Sequence, residues 1–127
     1  MRINALHDST DKVVIIICRD KEGRVLAGES LNTDQRYGKI VFPGGRMKSG
    51  ESVQEAAIRE CKEETGITCI PYHAPYRDGN MLVVLAQRDS GEPTPNHEFK
   101  NVCWMNEQDL YKSDVLPYNL DLVRRYN

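Results

Sequence analysis

The sequence lacks several features that mark particular classes of protein. Its longest apolar run, residues 13–18, has six residues, far short of the roughly 18 that a membrane-spanning helix needs. The N-terminal segment MRINALHDSTDK contains no apolar core of a secretory signal, so we expect a cytoplasmic protein that contacts no membrane. Lys and Arg number 17 against 19 Asp and Glu, and the net charge of -2 disfavours a nucleic-acid-binding protein.

The four cysteines also lack a recognisable pattern. None forms a CxxC pair, which disfavours a zinc knuckle, and their spacing does not indicate a disulfide framework. Cys18 and Cys103 lie within apolar segments, where a free thiol packs like a small hydrophobic side chain. We therefore expect buried, reduced cysteines.

The composition is that of one folded domain. With 127 residues, 39% of them hydrophobic and 28% charged, the chain is expected to form a single domain over residues 1–127. Hydrophobic runs and turn residues predict strands at 12–18, 24–27, 39–42, 67–72, 81–87 and 101–105. We expect Pro43, Gly44 and Gly45 to end regular structure. One helical turn is predicted at 107–111 and an amphipathic helix from Pro117 onward.

The clearest helix covers residues 52–65, which contain no Gly or Pro and are rich in Ala, Glu, Lys and Arg. Ser49 or Ser52 is placed to cap its start, and Glu55 follows Ser52 at capping-box spacing. Gly66 occupies the position of a left-handed C-terminal cap. Together the elements follow the order β-β-β-α-β-β-β-α, which predicts an α/β (α+β) protein with helices packed on a mixed sheet.

This helix also carries an unusual concentration of negative charge. Glu60, Glu63 and Glu64 lie at i, i+3 and i+4, within an arc of roughly 100° on one face. They repel one another near the helix C-terminus, where the macrodipole disfavours anions, and Lys62 alone does not compensate them. A hard divalent cation such as Mg²⁺ would resolve the repulsion. The alternative is a solvated acidic face.

The residues around these glutamates follow a longer pattern. Gly45, Glu51, Arg59, Glu60, Glu63, Glu64 and Gly66 match all seven fixed positions of Gly-x5-Glu-x7-Arg-Glu-U-x-Glu-Glu-x-Gly-U, where U is a bulky aliphatic residue. The sequence therefore resembles the Nudix hydrolase family, and in size the small MutT-like members. Cys61 is smaller than the usual aliphatic residue at its U position, and we expect it to pack as a core side chain.

The resemblance implies a fold and a reaction. The expected fold is a Nudix-type α/β/α sandwich with a mixed β-sheet and a catalytic loop-helix-loop. The expected reaction is hydrolysis of a nucleoside diphosphate linked to another group, by water attack on phosphorus with Mg²⁺ or Mn²⁺. The expected ligand is a small nucleotide.

The resemblance also implies roles for the motif residues. Glu60, Glu63 and Glu64 would coordinate metal and carry catalysis, with the Gly44 carbonyl as a further ligand. Arg59 would orient these carboxylates by charge-assisted hydrogen bonds.

The remaining motif residues are expected to support the site. Glu51 would bind metal through water or anchor the loop. Gly45 would let the backbone approach the metal and phosphates, and Gly66 would shape the end of the helix.

Three further candidates lie outside the seven fixed positions of the pattern. Glu98 resembles the downstream loop glutamate that some family members use as a base or additional ligand. Arg46, just past the glycines, is placed to hold phosphate. Asn119 is placed where MutT-type members read a base with an amide, which can both donate and accept hydrogen bonds.

The sequence leaves the identity of the substrate open. The small size and the segment around Asn119 favour a nucleoside triphosphate cleaved to monophosphate and pyrophosphate. Nucleotide sugars, ADP-ribose and RNA 5′ ends are alternatives, and a non-catalytic nucleotide-sensing domain belongs to a different class. A homodimer is compatible with the family.

Overall fold

The structure, a computed structural model, describes residues 12–126. Within this range, eight strands form one sheet: β1 (Val13–Arg19), β2 (Val25–Ser30), β3 (Ile40–Val41), β4 (Gly44–Arg46), β5 (Thr68–Pro71), β6 (Tyr76–Asp78), β7 (Met81–Ser90) and β8 (Phe99–Met105). The helices described are α1 (Val53–Thr65), α2 (Glu107–Lys112) and α3 (Pro117–Arg125). The single domain over 1–127 stays a prediction, because residues 1–11 and 127 lie outside the described range.

Strand β1 lies at the centre of the sheet. It runs parallel to β7 from Val13, opposite Met81, to Arg19, opposite Gln87. It pairs antiparallel with β2 and β4, and the main strand order is β3-β2-β1-β7-β5. The predicted mixed sheet is therefore confirmed.

The two faces of the sheet are covered by different helices. Alternate residues of β1 join the core beneath α1, which includes Val14, Ile16, Cys18, Ala57 and Cys61. The residues between them join the opposite core with α2 and α3, which includes Ile15, Ile17, Leu110, Leu122 and Val123. Each fully buried aliphatic side chain contributes about 1.5–3 kcal/mol. This arrangement confirms the predicted α/β/α sandwich.

Helix α1 begins and ends as its sequence predicts. The Glu55 N–H donates to Ser52 Oγ (3.0 Å), and the Ser52 N–H donates to Glu55 Oε1 (2.8 Å), which completes the capping box. Gly66 adopts φ 80° and ends the helix. These local bonds fix the register of the acidic face.

One prediction about the glycine segment is wrong. Gly44 and Gly45 do not end regular structure, since they form β4 and pair with Ile15 and Val14. A Cβ at Gly44 would lie 2.4 Å from the Val14 carbonyl oxygen. The absence of a side chain therefore permits this pairing, which outweighs the poor strand propensity of glycine.

Two further differences concern the periphery. Strand β6 was not predicted, and Cys103 is exposed rather than buried because β8 turns Val102 inward and Cys103 outward. Cys18, Cys61 and Cys69 are buried free thiols, as expected. No helix in the described range is long and apolar enough to cross a bilayer.

Candidate active site

The acidic triplet of α1 divides into two buried side chains and one exposed side chain. Glu60 and Glu64 are only 8% and 6% exposed, whereas the Glu63 side chain is 53% exposed. Glu60 and Glu64 face the sheet and β4, while Glu63 faces solvent. Two carboxylates are thus held in a largely desolvated environment.

Glu64 lies against the backbone of β4. The Gly44 N–H donates to Glu64 Oε1 at 2.9 Å. Burial raises the pKa of Glu64 to about 8, the Gly44 hydrogen bond opposes this rise, and the charges of Glu60 and Glu98 add to it. The carboxylate therefore lacks enough positive charge among its protein neighbours.

Glu60 lies against the next residue of β4. A Cβ on Gly45 would lie 1.9 Å from Glu60 Oε2, so only glycine leaves room for this carboxylate. Burial raises the pKa of Glu60 to about 7, and the field of Arg59, whose Nη1 is 3.7 Å from Glu60 Oε2, partly offsets the rise.

Arg59 connects α1 to the loop that follows β4. Its Nε donates to Glu51 Oε2 (2.5 Å) and its Nη2 to Glu51 Oε1 (2.9 Å), a bidentate pair. Nη2 also donates to the Arg46 carbonyl (3.1 Å) and Nη1 to Glu63 Oε1 (3.3 Å). Through its hydrogen bonds the Arg59 guanidinium lowers the pKa of Glu51 to about 2, so this carboxylate stays ionised.

The loop that carries Glu98 is attached to the end of α1. The Asn96 side-chain Nδ2 donates to the backbone carbonyl of Glu64, and Asn96 Oδ1 accepts from the Glu98 N–H (2.8 Å) and the Phe99 N–H (3.2 Å). The negative charge of Glu98 contributes to the raised pKa values of Glu60 and Glu64. Glu98 thus joins the same acidic environment from outside the helix.

A cleft of about 160 Å³ opens beside Glu64. Its acidic side is formed by Glu64, Gly44 and Gly45, and its α3 side by Leu116, Tyr118 and Asn119. Further lining residues come from β1, from the β2–β3 connection and from the strands around them: Val13, Val14, Ile15, Asn32, Arg36, Val41, Phe42, Met81 and Phe99. The cleft therefore combines an anionic wall with largely apolar ones.

Two polar atoms on the α3 side, Asn119 Oδ1 and the Tyr118 hydroxyl oxygen, have protein partners. Asn119 is buried, and its Oδ1 accepts from the Phe42 N–H at 2.7 Å. The Tyr118 hydroxyl donates to Asp78 Oδ2 at 2.8 Å. This side of the cleft offers a neutral, preorganised surface to a ligand.

A family model matches nearly the whole chain, including every residue that the structure describes. A model of the NUDIX domain matches residues 9–126, which include β4, α1 and the Glu98 loop. The chain is a Nudix hydrolase. The resemblance predicted from the Gly45–Ile67 pattern is confirmed, together with the assignment as an enzyme.

Individual relatives agree with this assignment. This Nudix hydrolase is 26% identical to the 8-oxo-dGTP diphosphatase of Escherichia coli (strain K12), over 90% of this chain and 94% of that protein. It is 60% identical to an uncharacterized Nudix hydrolase of Bacillus subtilis (strain 168), over 65% of this chain but only 60% of that protein.

A solved structure shows the same fold. The Nudix hydrolase of Nitrosomonas europaea superposes with a TM-score of 0.74 at 23% identity, covering 91% of this chain and 69% of that one.

The donors of the Nudix segment fit a divalent cation in their chemistry. Glu60, Glu63 and Glu64 supply hard carboxylate oxygens, and the two buried ones have raised pKa values that a nearby cation would lower. Within residues 12–126, no three His, Cys, Asp or Glu side chains are already gathered at metal-binding distances. The Glu63 carboxylate lies against Arg59 instead.

The structure brings some predicted residues of the Nudix hydrolase together and separates others. Glu60, Glu64, Gly44 and Gly45 are neighbours. Like Glu60, Glu63 and Glu98, Arg46 is not among the residues that line the cleft. Arg46 is exposed, and its carbonyl accepts from Arg59. Its phosphate-binding role stays a prediction.

Sequence reasoning missed Arg36 and Asn96. Arg36 lies two positions after Asp34 in a polar segment, and Asn96 lies two positions before Glu98, the spacing of an Asx turn. These local patterns indicate ordered loops. They do not indicate which residues distant in sequence lie near Arg36 or Asn96.

Proposed function

We propose that this enzyme hydrolyses a ribo- or deoxyribonucleoside 5′-triphosphate to the monophosphate and pyrophosphate, with Mg²⁺ or Mn²⁺ as cofactor. The observation that carries the proposal is the placement of the buried carboxylates. Glu64 forms one wall of a cleft whose α3 side has apolar and amide groups suited to a nucleobase. The Escherichia coli relative is an 8-oxo-dGTP diphosphatase, which agrees with this substrate class.

The residues proposed to hold the cation are Glu60, Glu63, Glu64 and the Gly44 carbonyl. A bound cation neutralises phosphate oxygens and lowers the pKa of water. Arg59 keeps Glu51 and the loop after β4 in place beside α1 through its bidentate pair. The chain's own contribution is thus a rigid, partly desolvated anionic wall.

In the proposed reaction, a water oxygen forms a bond to phosphorus as the phosphoanhydride bond breaks. The pyrophosphate leaves with the bonding electron pair, and the water proton passes to a carboxylate oxygen. We propose Glu98 for this proton because it belongs to the acidic environment of Glu60 and Glu64 but lies on a separate loop. The apolar walls limit competing water.

The decisive variant is Glu64→Gln. The amide oxygen can still accept from the Gly44 N–H, so the fold should persist, while the loss of the charge should reduce kcat at least about a hundredfold. Glu92→Gln is the matched control, because the Glu92 side chain is 84% exposed and pairs only with Arg88 among the residues described. Near-normal turnover by Glu64→Gln would refute the proposed role.

A substrate panel tests the specificity. It contains common and oxidised nucleoside triphosphates, ADP-ribose, diadenosine polyphosphates, nucleotide sugars, coenzyme A and 5′-triphosphate RNA, and it scores pyrophosphate against orthophosphate. Pyrophosphate and a monophosphate from one nucleotide would support the proposal. Turnover of only a sugar nucleotide or RNA would show that the substrate differs from the one proposed. The cytoplasmic location and the homodimer stay predictions.

A further inference from the structure

The cleft contains a cationic side chain that belongs neither to α1 nor to α3. Among the described residues that line the cleft, Arg36 alone carries a positive charge. It belongs to the connection between β2 and β3, well separated in sequence from α1 and α3. A cationic side chain in this position can bind an anionic group of a ligand.

Asp34 holds the Arg36 guanidinium by one edge. Arg36 Nε lies 3.0 Å from Asp34 Oδ2 and 3.1 Å from Oδ1, and Nη2 lies 2.5 Å from Oδ2. The Arg36 backbone N–H also donates to Asp34 Oδ1 (2.8 Å), which ties the two residues into one turn. Arginine is therefore oriented before any ligand arrives.

The other edge of the guanidinium has no hydrogen-bond partner among the residues that the structure describes, so it can bind a ligand. Arginine has five N–H donors, and Asp34 engages those on Nε and Nη2. Arg36 Nη1 makes no hydrogen bond to another residue within 12–126. Two N–H donors on one nitrogen match the oxygens of a phosphate group.

Arg36 also lies within the electrostatic reach of the acidic wall. After Asp34, the charges of Glu64 and Glu98 contribute to the raised pKa of Arg36. Arg36 lines the same cleft as Glu64 and as Asn119, on the side proposed for the base. A nucleotide that spans these two sides must place its 5′-phosphate between them.

We propose that Arg36 binds the phosphate attached to the nucleoside 5′-oxygen, through its Nη1 edge, with Asp34 as the residue that orients it. This inference rests on the proposed function, because it assumes a nucleotide in the cleft. It predicts that Arg36 contributes to binding of the triphosphate substrate and of the monophosphate product, but not of the free nucleoside.

Calorimetric titration with dGMP and with deoxyguanosine tests this without turnover. In Arg36→Gln, the Kd for dGMP should rise at least about tenfold while the Kd for deoxyguanosine stays unchanged. Arg36→Lys should recover part of the loss, because lysine keeps the charge but not the planar donors. Asp34→Asn should raise the Kd less than Arg36→Gln does.

Steady-state kinetics give a second readout. KM for the triphosphate should rise about tenfold in Arg36→Gln, with kcat changed less than about threefold. Arg77→Gln is the control, since Arg77 is exposed and does not line the cleft. Arg46→Gln provides a direct comparison with the other arginine predicted to bind phosphate.

Several results would overturn the proposal. One is an unchanged dGMP affinity in Arg36→Gln, and another is a loss of affinity in Arg46→Gln alone. A lower Mg²⁺ requirement with unchanged KM would show that Arg36 only offsets the charges of Glu64 and Glu98. Absence of nucleotide turnover by the wild type would refute the proposed function, whereas dGMP titration would still decide the role of Arg36.

Discussion

The two sides of the cleft differ in how their polar groups are satisfied. On the α3 side, Asn119 and Tyr118 each have a hydrogen-bond partner, and neither group is charged. On the acidic side, among the residues that the structure describes, the buried Glu64 carboxylate accepts one hydrogen bond, from the Gly44 N–H, and Glu60 has one ion-pair partner, Arg59 at 3.7 Å. The α3 side presents hydrogen-bonded, uncharged groups, whereas the acidic side holds two buried carboxylates whose ionised form a cation would stabilise.

Among substitutions that leave every charge in place, the largest expected effect comes from filling the space beside Glu60. In Gly45→Ala, the new Cβ would lie 1.9 Å from Glu60 Oε2, so the carboxylate must move. We expect kcat to fall about a hundredfold, because small displacements of catalytic groups are costly. Steady-state kinetics with circular dichroism would measure activity and folding separately.

Gly23→Ala is the matched control for this change. Gly23 has φ 80° and nothing within 4 Å of an added Cβ, so the substitution carries only the left-handed backbone penalty of about 1 kcal/mol. Full activity of Gly45→Ala would mean that the position of Glu60 does not matter.

A smaller effect should appear in the pH dependence of stability without metal. The pKa of Glu64 is about 8 and that of Glu60 about 7 in the folded protein, against 4.5 for an unperturbed glutamate. Between about pH 5 and 8 the folded state holds more protons than the unfolded state, so the free energy of unfolding falls as pH rises. In EDTA, we expect Tm to fall by at least about 5 °C across this window.

Two comparisons identify the source of that fall. Glu64→Gln should flatten the profile, and Mg²⁺ should reduce the slope in the wild type by stabilising the ionised carboxylates. Glu51, whose pKa is lowered to about 2, acts in the opposite direction but only below about pH 4.5. A Tm that is constant from pH 5 to 8 in EDTA would contradict the described state of the acidic side.

The smallest effect is expected on the α3 side. Tyr118→Phe removes the hydroxyl that donates to Asp78, a loss of about 1 kcal/mol in the free energy of unfolding. KM should change no more than about threefold, with kcat unchanged. Tyr111→Phe, which loses only an exposed 3.5 Å contact with Glu107, is the control for thermal denaturation and kinetics. A large fall in kcat for Tyr118→Phe would remove the distinction between the two sides.

Helix α1 could be predicted in detail because its determinants are local. The capping box, the C-terminal glycine and the i, i+3, i+4 spacing all lie within one segment, so helical geometry alone places Glu60 and Glu64 together. Which of the three carboxylates are buried could not be predicted, since this depends on the packing of β4 against α1. The same close packing explains why Gly44 and Gly45 form a strand although glycine has a low strand propensity.

The other contributors to the cleft could not be placed from the sequence. Arg36 and Asn96 lie on connections without periodicity, and their relation to Glu64 arises only when separate strands align. The position of Glu98 near the acidic wall was predicted from family resemblance alone. The prediction that Cys103 is buried was wrong because apolar neighbours in the sequence do not determine which face of the sheet a strand residue occupies.

The parallel pairing of β1 with β7 has a consequence for the order of folding. Val13 and Met81 are opposite one another although they are 68 positions apart in the chain. During synthesis, α1 leaves the ribosome before β7 has been made. The apolar faces of β1 and α1 therefore lack part of their packing partners until β7 is synthesised. Closure of this long loop should be a late and slow step, and truncation before residue 81 should leave an aggregation-prone fragment.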